Sequence, residues 1–403
     1  MSQPKIPPPS TESTGTSAVQ SLSLLLVFYL STKCNLECSY CNVDAGPRGY
    51  RPVLDPHIFE KWLEAFASLE PSEISLQLHG GEPLMVDPPV ELFAAIAMNM
   101  LARYPGTKLG KLAIQSNGLT LDESRLDSLA TAGVRVNISI DGPAEIHDHH
   151  RVTATGRGSH RDALRAHHRL RARGKNTAVI TVVTDPQDVI PAVKFFLDEG
   201  FCEARMNPLR PEGRAVSLRN WDDTTFMREM AGQYFRAAQL IAAHNRRFPQ
   251  APFVELNMAS LMESMIDPNG AARVNWTFVV DDHGNLWAHP GGYGIDAMRL
   301  SRDEVPNADI LRRTLGLDSF AGLSTGVLMR AFQKFRPGLF TPCAECRSPD
   351  VCVPVYGPKS STEMTRPMCI WRRELTNHLE GWLREAPETA SQITRCDRVG
   401  CLT

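Results

Sequence analysis

"FYLSTKCNLECSYCNV", residues 28–43, places three cysteines within eight positions directly after an apolar stretch. Their spacing is Cys34-x3-Cys38-x2-Cys41, and no further cysteine or histidine follows until His57. Zinc ions and ordinary iron–sulfur clusters prefer four protein ligands, so three thiolates leave one position unfilled. The spacing alone leaves open a structural zinc knuckle, an iron–sulfur site and three unrelated thiols.

The composition is that of an ordinary globular protein, with 403 residues, 42% hydrophobic and 22% charged residues and a formal net charge of −2. This near-neutral balance gives no reason to expect a nucleic-acid or membrane-surface partner. The apolar stretch Ser21–Leu30 lacks a basic flank and a cleavage site, which indicates a buried strand rather than a signal peptide. Ten cysteines, clustered at metal-type spacings, favour metal ligation in a reducing cytoplasm over disulfides.

Apolar, β-branched runs alternate with helical patterns between residue 21 and about residue 250. The predicted strands are Leu24–Leu30, Ile74–His79, Leu112–Ser116, Val134–Ile140, Ala178–Thr184 and Glu203–Asn207. The predicted helices are Asp55–Leu69, Pro89–Arg103, Asp122–Ala132, Ser159–Arg173, Pro186–Glu199 and Trp221–Arg246. Six strand–helix units predict a parallel α/β sheet, open or closed into part of a barrel. We expect the chemistry to lie in the loops at the carboxyl ends of the strands.

The two ends of the chain differ from this central pattern. Residues 1–20 are rich in Pro, Ser and Thr and are expected to form a disordered tail, too short for a leader-binding domain. After about Phe253 the alternation stops, and Val274–Trp287 predicts a hairpin around an Asp-His-Gly-Asn turn. A final helix is predicted over Pro367–Glu385. We therefore expect one domain over residues 21–250 and a second over residues 251–403.

The cysteine run, with Tyr40 just before its last cysteine, resembles the signature of radical S-adenosylmethionine (SAM) enzymes. The resemblance implies that Cys34, Cys38 and Cys41 hold a 4Fe–4S cluster. It also implies that the amino and carboxylate groups of SAM chelate the fourth iron, so the missing ligand would be the cosubstrate. The implied fold is a partial (βα)6 TIM-type barrel, with Tyr40 among the residues that bind the cofactor.

Gly80-Gly81-Glu82-Pro83 ends the second predicted strand and resembles the GGEP motif of the same family. Two glycines let the backbone approach a ligand closely, and a carboxylate facing an ammonium makes a charge-assisted hydrogen bond. The resemblance implies that the backbone and the Glu82 carboxylate hold the methionine ammonium. Without this context the same four residues would be an ordinary turn.

Two further motifs end the third and fourth predicted strands. Ser116-Asn117-Gly118 and Ser139-Ile140-Asp141-Gly142 stand where the family has ribose and methionine contacts, which implies such roles for Asn117 and Ser139. His147-Asp148-x2-Arg151 also matches the family, with Arg151 facing the cosubstrate carboxylate. The alternative for His147 and Arg151 is a pair in a surface loop. The resemblance covers residues 24 to about 210.

A second cysteine set, Cys343-x2-Cys346-x5-Cys352 followed by Cys369, is compatible with a zinc ribbon when taken alone. Behind a radical SAM barrel it resembles the SPASM extension, which carries two auxiliary 4Fe–4S clusters. The four cysteines match the outer cluster, whereas three other family cysteines are replaced by Tyr356, His289 and Ile295. We therefore expect one auxiliary 4Fe–4S cluster in a C-terminal iron–sulfur-binding extension.

Three other cysteines and His289 are not assigned to a cluster. Cys396 and Cys401 lie near the end of the sequence and are expected to be free thiols. Cys202 precedes a predicted core strand and is expected to be an inert buried residue. His289 is expected to be a structural histidine rather than a ligand.

The strings at Leu76–Leu84 and Ser139–Arg151 look most like those of maturases that crosslink side chains in ribosomally made peptides. The resemblance implies a precursor peptide as substrate, a cyclophane-type C–C bond as product and an external low-potential electron donor of the flavodoxin or ferredoxin type. An anaerobic sulfatase maturase, which makes formylglycine, is an alternative. An alternative of another class is a non-catalytic zinc-binding adaptor. The sequence assigns no catalytic acid or base.

Overall fold

The computed structural model describes most of the chain between residues 23 and 394. The described ranges are 23–175, 177–221, 223–266, 276–287, 299–301, 305–315, 318–319 and 362–394. Several predicted features lie outside these residues, namely the disordered tail and His289, Ile295, Tyr356, Cys343, Cys346, Cys352, Cys396 and Cys401.

The described strands form one sheet with the order β7-β6-β5-β4-β3-β2-β1-β8-β9. Their bounds are β1 Ser23–Ser31, β2 Glu73–Gly80, β3 Lys108–Ser116, β4 Arg135–Ser139, β5 Ala178–Val183, β6 Glu203–Pro208, β7 Val254–Glu255, β8 Trp276–Val280 and β9 Leu286–Trp287. Every neighbouring pair is parallel except β8 and β9, which are antiparallel. The carboxyl ends of β1 to β6 therefore meet at one edge of the sheet.

Helices follow the strands in alternation through the first part of the chain. Their bounds are α1 Pro56–Ala67, α2 Val90–Leu101, α3 Glu123–Thr131, α4 Ala144–His150, α5 His160–Ala172, α6 Val189–Asp198, α7 Thr225–Arg247, α8 Leu256–Ile266, α9 Ala308–Leu315, α10 Thr362–Glu385 and α11 Ala390–Ile393. None of the helices in the described ranges is long and apolar enough to cross a membrane.

β1 is buried on both faces, which explains its almost continuous apolar sequence. Leu24, Leu26 and Phe28 belong to the main hydrophobic core. Val27 and Tyr29 point to the other face and pack with the cysteine loop. A strand with two buried faces is thus the support on which the first cysteine motif is built.

α1 shows how the sequence encodes the layer that covers the sheet. The Asp55 carboxylate accepts a hydrogen bond of 2.8 Å from the His57 amide, and Pro56 occupies the first helical turn. The buried face of the helix includes Phe59. The ring centroid of Phe59 lies 4.4 Å from that of Phe28 and 5.2 Å from that of Phe93 on α2. Aromatic contacts therefore join α1 to β1 and α2 to α1.

The structure confirms the six predicted strand–helix units and the hairpin formed by β8 and β9. The structure also contains β7, α8, α9 and α11, which were not predicted, and it differs from the prediction in three further respects. β8 pairs with β1 in parallel, so the sheet continues beyond the predicted domain boundary near residue 250, and that boundary stays a prediction. Residues 144–150 form the helix α4, which the sequence analysis did not predict. α10 begins at Thr362, five residues before the predicted start.

Candidate functional site

The first cysteine motif lies in the loop that follows β1, at the edge where the parallel strands end. Cys34 is 7% exposed, whereas Cys38 and Cys41 are half-buried. The loop packs against apolar residues of the second face of the sheet, among them Val27, Tyr29 and Val279. The sequence-predicted ligands therefore stand together on a rigid apolar base.

Backbone amides point at two of the three sulfur atoms. The Leu36 amide donates to Cys34 Sγ at 3.4 Å, and the Ala45 amide donates to Cys41 Sγ at 3.2 Å. Hydrogen bonds of this kind favour the thiolate over the thiol. Burial acts in the opposite direction and raises the pKa of Cys34 to about 12 and the pKa of Cys38 to about 11. A bound cation would be needed to keep these sulfurs ionised at neutral pH.

The arrangement of the three thiols is compatible with an iron–sulfur cluster. In the described part of the chain, no group of three or more His, Cys, Asp or Glu side chains is arranged to hold one metal ion. Cysteines that hold a 4Fe–4S cluster bind different irons, so their sulfurs need not converge on one point. Three mutually close but separate thiols on an apolar base are consistent with such a ligand set.

A neighbouring loop holds the cysteine loop from one side. The Ser39 amide donates to the His150 carbonyl at 3.1 Å, and the Glu37 amide donates to the Val152 carbonyl at 2.8 Å. The side chains of Ser39 and His150 also form a hydrogen bond of 2.7 Å between Oγ and Nδ1. The end of α4 and the segment that follows it thus pair with the backbone on both sides of Cys38.

The backbone of the GGEP motif forms hydrogen bonds with the backbone that leads into the cysteine loop. The Gly81 amide donates to the Ser31 carbonyl at 2.7 Å, and the Glu82 amide donates to the Lys33 carbonyl at 2.8 Å. A Cβ atom on Gly80 would lie 2.2 Å from the Ser31 carbonyl oxygen, and one on Gly81 would lie 2.2 Å from that of Lys33. Gly80 also has a φ of +126°. Both positions therefore require glycine.

The Glu82 carboxylate ties the end of β2 to the end of β3. It is fully buried and accepts hydrogen bonds from Ser116 Oγ at 3.0 Å, the Asn117 amide at 2.8 Å and the Leu84 amide at 3.2 Å. Burial raises the pKa of Glu82 to about 7. Pro83 begins the buried turn that follows. These contacts assign Glu82 a role in fixing two strand ends, and its contact with the methionine ammonium stays a prediction.

Asn117 and Ser139, predicted from the third and fourth strand ends, lie in different hydrogen-bond groups. Asn117 Nδ2 donates to Asn35 Oδ1 at 2.6 Å and lies 3.8 Å from Cys34 Sγ, so it reaches the cysteine loop. Ser139 Oγ accepts a hydrogen bond of 2.9 Å from Gln115 Nε2. Both side chains are buried at the same edge of the sheet.

Arg151 and Tyr40 meet at a carboxylate that the sequence analysis did not select. Asp141 accepts two hydrogen bonds from Arg151, from Nε at 2.8 Å and from Nη2 at 3.1 Å, and another from the Tyr40 hydroxyl. The guanidinium carbon of Arg151 lies 5.4 Å from the centroid of the Tyr40 ring. The Arg151 guanidinium helps to hold the pKa of Asp141 below its usual range despite complete burial. Two guanidinium nitrogens are thus engaged by Asp141, and contact with the cosubstrate carboxylate stays a prediction.

The surface-loop alternative for His147 and Arg151 is wrong, because the two residues are 0% and 8% exposed. His147 Nδ1 accepts from the Asp141 amide at 3.3 Å, and its Nε2 lies 2.9 Å from Ser159 Oγ. Ser159 Oγ in turn donates to the Arg151 carbonyl at 2.8 Å, so His147 Nε2 is the donor to Ser159. Burial lowers the pKa of His147 to about 3, which keeps the ring neutral. His147 therefore orders the loop that presents Arg151.

Two residues of the site, Asp141 and Arg214, have only faint sequence signals. Asp141 precedes a glycine after β4, and that dipeptide is common in ordinary turns. Arg214 belongs to no recognisable motif, yet it contacts the cysteine loop from the turn after β6. Of the predicted auxiliary ligands, only Cys369 lies within the described residues, on α10, where it is exposed. The expectation that Cys202 is buried is wrong: the residue is half-buried, because it precedes β6 rather than lying within the strand.

Comparisons with known proteins agree with this geometry. Residues 28–195 match the radical SAM superfamily. An uncharacterized protein of Synechocystis sp. is 32% identical over 200 residues, which are 47% of this chain and 48% of the relative. The serine-type anaerobic sulfatase-maturating enzyme of Bacteroides thetaiotaomicron is 27% identical over 157 residues, which are 38% of this chain and 37% of that enzyme. The matches thus span about half or less of these curated relatives.

Among solved structures, native anSMEcpe with bound S-adenosylmethionine and the Kp18Cys peptide has a TM-score of 0.66. It is 17% identical and covers 92% of this chain and 100% of that chain. This likeness supports the predicted α/β fold and is consistent with a partial TIM-type barrel. The sequence match to the radical SAM superfamily is thus limited to residues 28–195, and the structural likeness supports the fold.

Proposed function

We propose that this chain, which carries a radical SAM domain over residues 28–195, modifies a ribosomally made precursor peptide by forming an intramolecular crosslink. The observation that carries the proposal is the meeting of the cysteine loop, the GGEP turn and Asn117 at the carboxyl edge of the sheet. In an open or barrel-shaped α/β sheet, this edge is where ligands bind.

In this proposal Cys34, Cys38 and Cys41 hold a 4Fe–4S cluster, and SAM lies against the ends of β2 to β4. Together the bound groups would supply a 5′-deoxyadenosyl radical able to take a hydrogen atom from an unactivated C–H bond. The chain's own residues bind and order these groups. Glu82 fixes the glycines that approach the cysteine loop, and the pair of Asp141 and Arg151 fixes Tyr40.

The buried surroundings of the site support a role in radical chemistry. Glu82 and His147 are 0% exposed, and Asp141 is 2% exposed, so the hydrogen bonds that order the strand ends are shielded from water. Exclusion of water protects a reactive intermediate from side reactions. We infer that the chain positions its substrate above this edge.

A peptide substrate is supported by two similarities. One relative matures sulfatases, and one solved structure of the same fold binds a peptide beside S-adenosylmethionine. The proposal includes an auxiliary 4Fe–4S cluster held by Cys343, Cys346, Cys352 and Cys369, and a low-potential electron donor of the flavodoxin or ferredoxin type. In a net two-hydrogen oxidation, one hydrogen atom would go to the 5′-deoxyadenosyl radical, and the substrate would then release one proton to solvent and one electron to the auxiliary cluster. A cytoplasmic location belongs to the same proposal.

The second candidate is a formylglycine-forming activity, which the match to the sulfatase-maturating enzyme favours. The two reactions act on the same class of substrate. Crosslinking removes two hydrogens from the peptide, and formylglycine formation from serine also removes two hydrogens, whereas formylglycine formation from cysteine removes two hydrogens and exchanges sulfur for oxygen. Mass therefore separates a crosslink from the cysteine reaction, and the aldehyde of formylglycine, which forms a hydrazone with a hydrazine, separates it from the serine reaction.

Mass spectrometry of a precursor peptide co-expressed with the chain tests the proposal. A crosslinked product is lighter than the precursor by about 2 Da, the mass of two hydrogens, and yields few backbone fragments between the joined residues. The exchange of sulfur for oxygen at a cysteine, or a loss of two hydrogens at a serine with complete backbone fragmentation and hydrazone formation, would instead identify the second candidate. An unchanged mass with deuterium at an α-carbon after reaction in heavy water would show epimerisation and overturn both.

A further inference from the structure

Arg214 lies in the turn Gly213–Leu218 that follows β6, and its side chain reaches into the cysteine loop. Its Nε donates to the Cys38 carbonyl at 2.9 Å, and its Nη2 donates to the Ala45 carbonyl at 2.8 Å. These two carbonyls lie on either side of Cys41 in the sequence. One guanidinium therefore bridges the backbone that precedes the third cysteine and the backbone that follows it.

The dipeptide Gly213-Arg214 makes further contacts with the cysteine loop. The Arg214 amide donates to the Cys41 carbonyl at 3.0 Å, and Arg214 Nη1 donates to Asp44 Oδ1 at 3.0 Å. A Cβ atom on Gly213 would lie 2.3 Å from the Cys41 carbonyl oxygen, and Gly213 has a φ of +54°. The turn after β6 therefore approaches the loop so closely that only glycine fits before the arginine.

The Cys38 carbonyl also accepts a hydrogen bond of 3.2 Å from the Cys41 amide, so Arg214 adds a charged donor to a carbonyl that the loop already pairs, and it gives a donor to the Ala45 carbonyl. A buried or half-buried carbonyl without a donor costs free energy, and hydrogen bonds from a charged donor are stronger than those from a neutral one. Arginine suits the task because its planar guanidinium presents five N–H donors in a fixed geometry. Lysine carries the same charge but cannot form the same set of directed bonds.

The position of the guanidinium also has an electrostatic consequence. The Arg214 Nε atom lies 2.9 Å from the Cys38 carbonyl oxygen, so the positive charge of the guanidinium is fixed close to one of the proposed cluster ligands. A fixed positive charge beside an iron–sulfur cluster stabilises its reduced, more negative form. Only 29% of the Arg214 side chain is exposed, so solvent screens this charge incompletely.

We propose that Arg214 is a positioning residue that fixes the Cys38–Ala45 backbone for cluster binding and raises the reduction potential of the bound cluster. The electrostatic part rests on the proposed cluster site. The positioning part concerns the chain itself and does not depend on the identity of the substrate. The two parts can be tested separately from the peptide modification.

Hydrogen exchange of the cluster-free chain tests the positioning part. The amides of Cys41, Asp44 and Ala45 are hydrogen-bonded within the loop and report on its order. Arg214→Lys and Gly213→Ala should each speed exchange of these amides about tenfold, the effect of losing one hydrogen bond to a charged group. The matched control is Arg173→Gln, because Arg173 is 28% exposed and bonds Glu123 and Asp127 away from the loop. Unchanged exchange in both loop variants would overturn the positioning role.

The reduction potential of the reconstituted cluster tests the electrostatic part. Arg214→Gln should lower the potential, because it removes the positive charge, whereas Arg214→Lys should keep a potential close to that of the wild type. The Arg173→Gln control should not change it. Equal potentials in the wild type and in Arg214→Gln would overturn this part. If Arg214→Gln does not fold, Asp44→Asn is measured in its place. This substitution removes the carboxylate that pairs with Arg214, so it should raise the reduction potential. A lower or unchanged potential in Asp44→Asn would overturn the electrostatic part.

Discussion

At the residue scale, Glu82 shows how one side chain serves the fold and the site together. Its carboxylate accepts three protein donors while it is completely buried, and burial raises its pKa to about 7. The GGEP resemblance predicted the importance of this residue. It did not predict the bonds to Ser116 and Asn117, because they join strand ends that are 34 and 35 residues apart.

The raised pKa of Glu82 predicts a pH-dependent stability. In the folded chain the Glu82 carboxyl group keeps its proton up to about pH 7, whereas in the unfolded chain the group loses its proton near its ordinary pKa of 4.5. Its contribution to stability is therefore complete below pH 4.5 and is lost as the pH rises through 7. In the absence of SAM, Glu82→Gln should reduce the fall in the free energy of unfolding between pH 5.5 and pH 8 by about 1–3 kcal/mol.

Urea unfolding at the two pH values measures this difference. Part of the pH dependence of the free energy of unfolding should remain in Glu82→Gln, because burial also raises the pKa of Glu255 to about 7. Glu123→Gln serves as the control, because the Glu123 side chain is 61% exposed and its removal should not alter the pH dependence. Identical pH dependence in the wild type and in Glu82→Gln would show that Glu82 is already ionised in the folded chain.

At the element scale, the sequence predicted the strands and helices that have strong local patterns. β1 and α1 carry continuous apolar or amphipathic sequence and well-defined ends, and both were found within two residues of the predicted bounds. α4 was missed because its seven residues include three histidines and few apolar side chains. The helix is ordered by tertiary contacts, chiefly those of the buried His147.

The close contact between the end of β2 and the cysteine loop leads to a prediction for Gly81. A Cβ atom at this position would lie 2.2 Å from the Lys33 carbonyl oxygen, which is backbone and cannot turn aside. Gly81→Ala should therefore displace the cysteine loop, lower the free energy of unfolding by about 1–3 kcal/mol and reduce the iron bound to Cys34, Cys38 and Cys41.

Thermal unfolding and iron analysis after anaerobic reconstitution measure the two effects. Gly106→Ala is the matched control, since a Cβ atom there would meet nothing within 4 Å. The control should keep the wild-type iron content. A Gly81→Ala variant with the stability and iron content of the wild type would contradict the close approach of the two segments.

At the scale of the whole molecule, the α/β architecture was predictable because six strand–helix units follow one another in the sequence. The extent of the sheet could not be predicted from the sequence. β8 joins β1 from a position about 250 residues further along the chain, and such pairing leaves no local pattern. The contact of Arg214 with the cysteine loop could not be predicted from the sequence either, because Arg214 and Asp44 are 170 positions apart.

The proposed cluster content is a property of the whole chain. Seven cysteines at matching positions should bind two 4Fe–4S clusters, or about eight irons for each chain after anaerobic reconstitution. Replacement of Cys34, Cys38 and Cys41 by alanine should halve the iron and leave the auxiliary cluster. A wild-type value near four or near twelve irons would contradict this assignment.

The central claim is that Cys34, Cys38 and Cys41 hold the cluster that cleaves SAM. Its most direct test is the formation of 5′-deoxyadenosine by the anaerobically reconstituted chain with SAM and a strong reductant, measured by liquid chromatography. We expect the wild type to form this product and the triple alanine variant, with its auxiliary cluster retained, to form none. The account would be contradicted by a wild type that binds its iron but forms no 5′-deoxyadenosine, or by a triple variant that forms as much as the wild type.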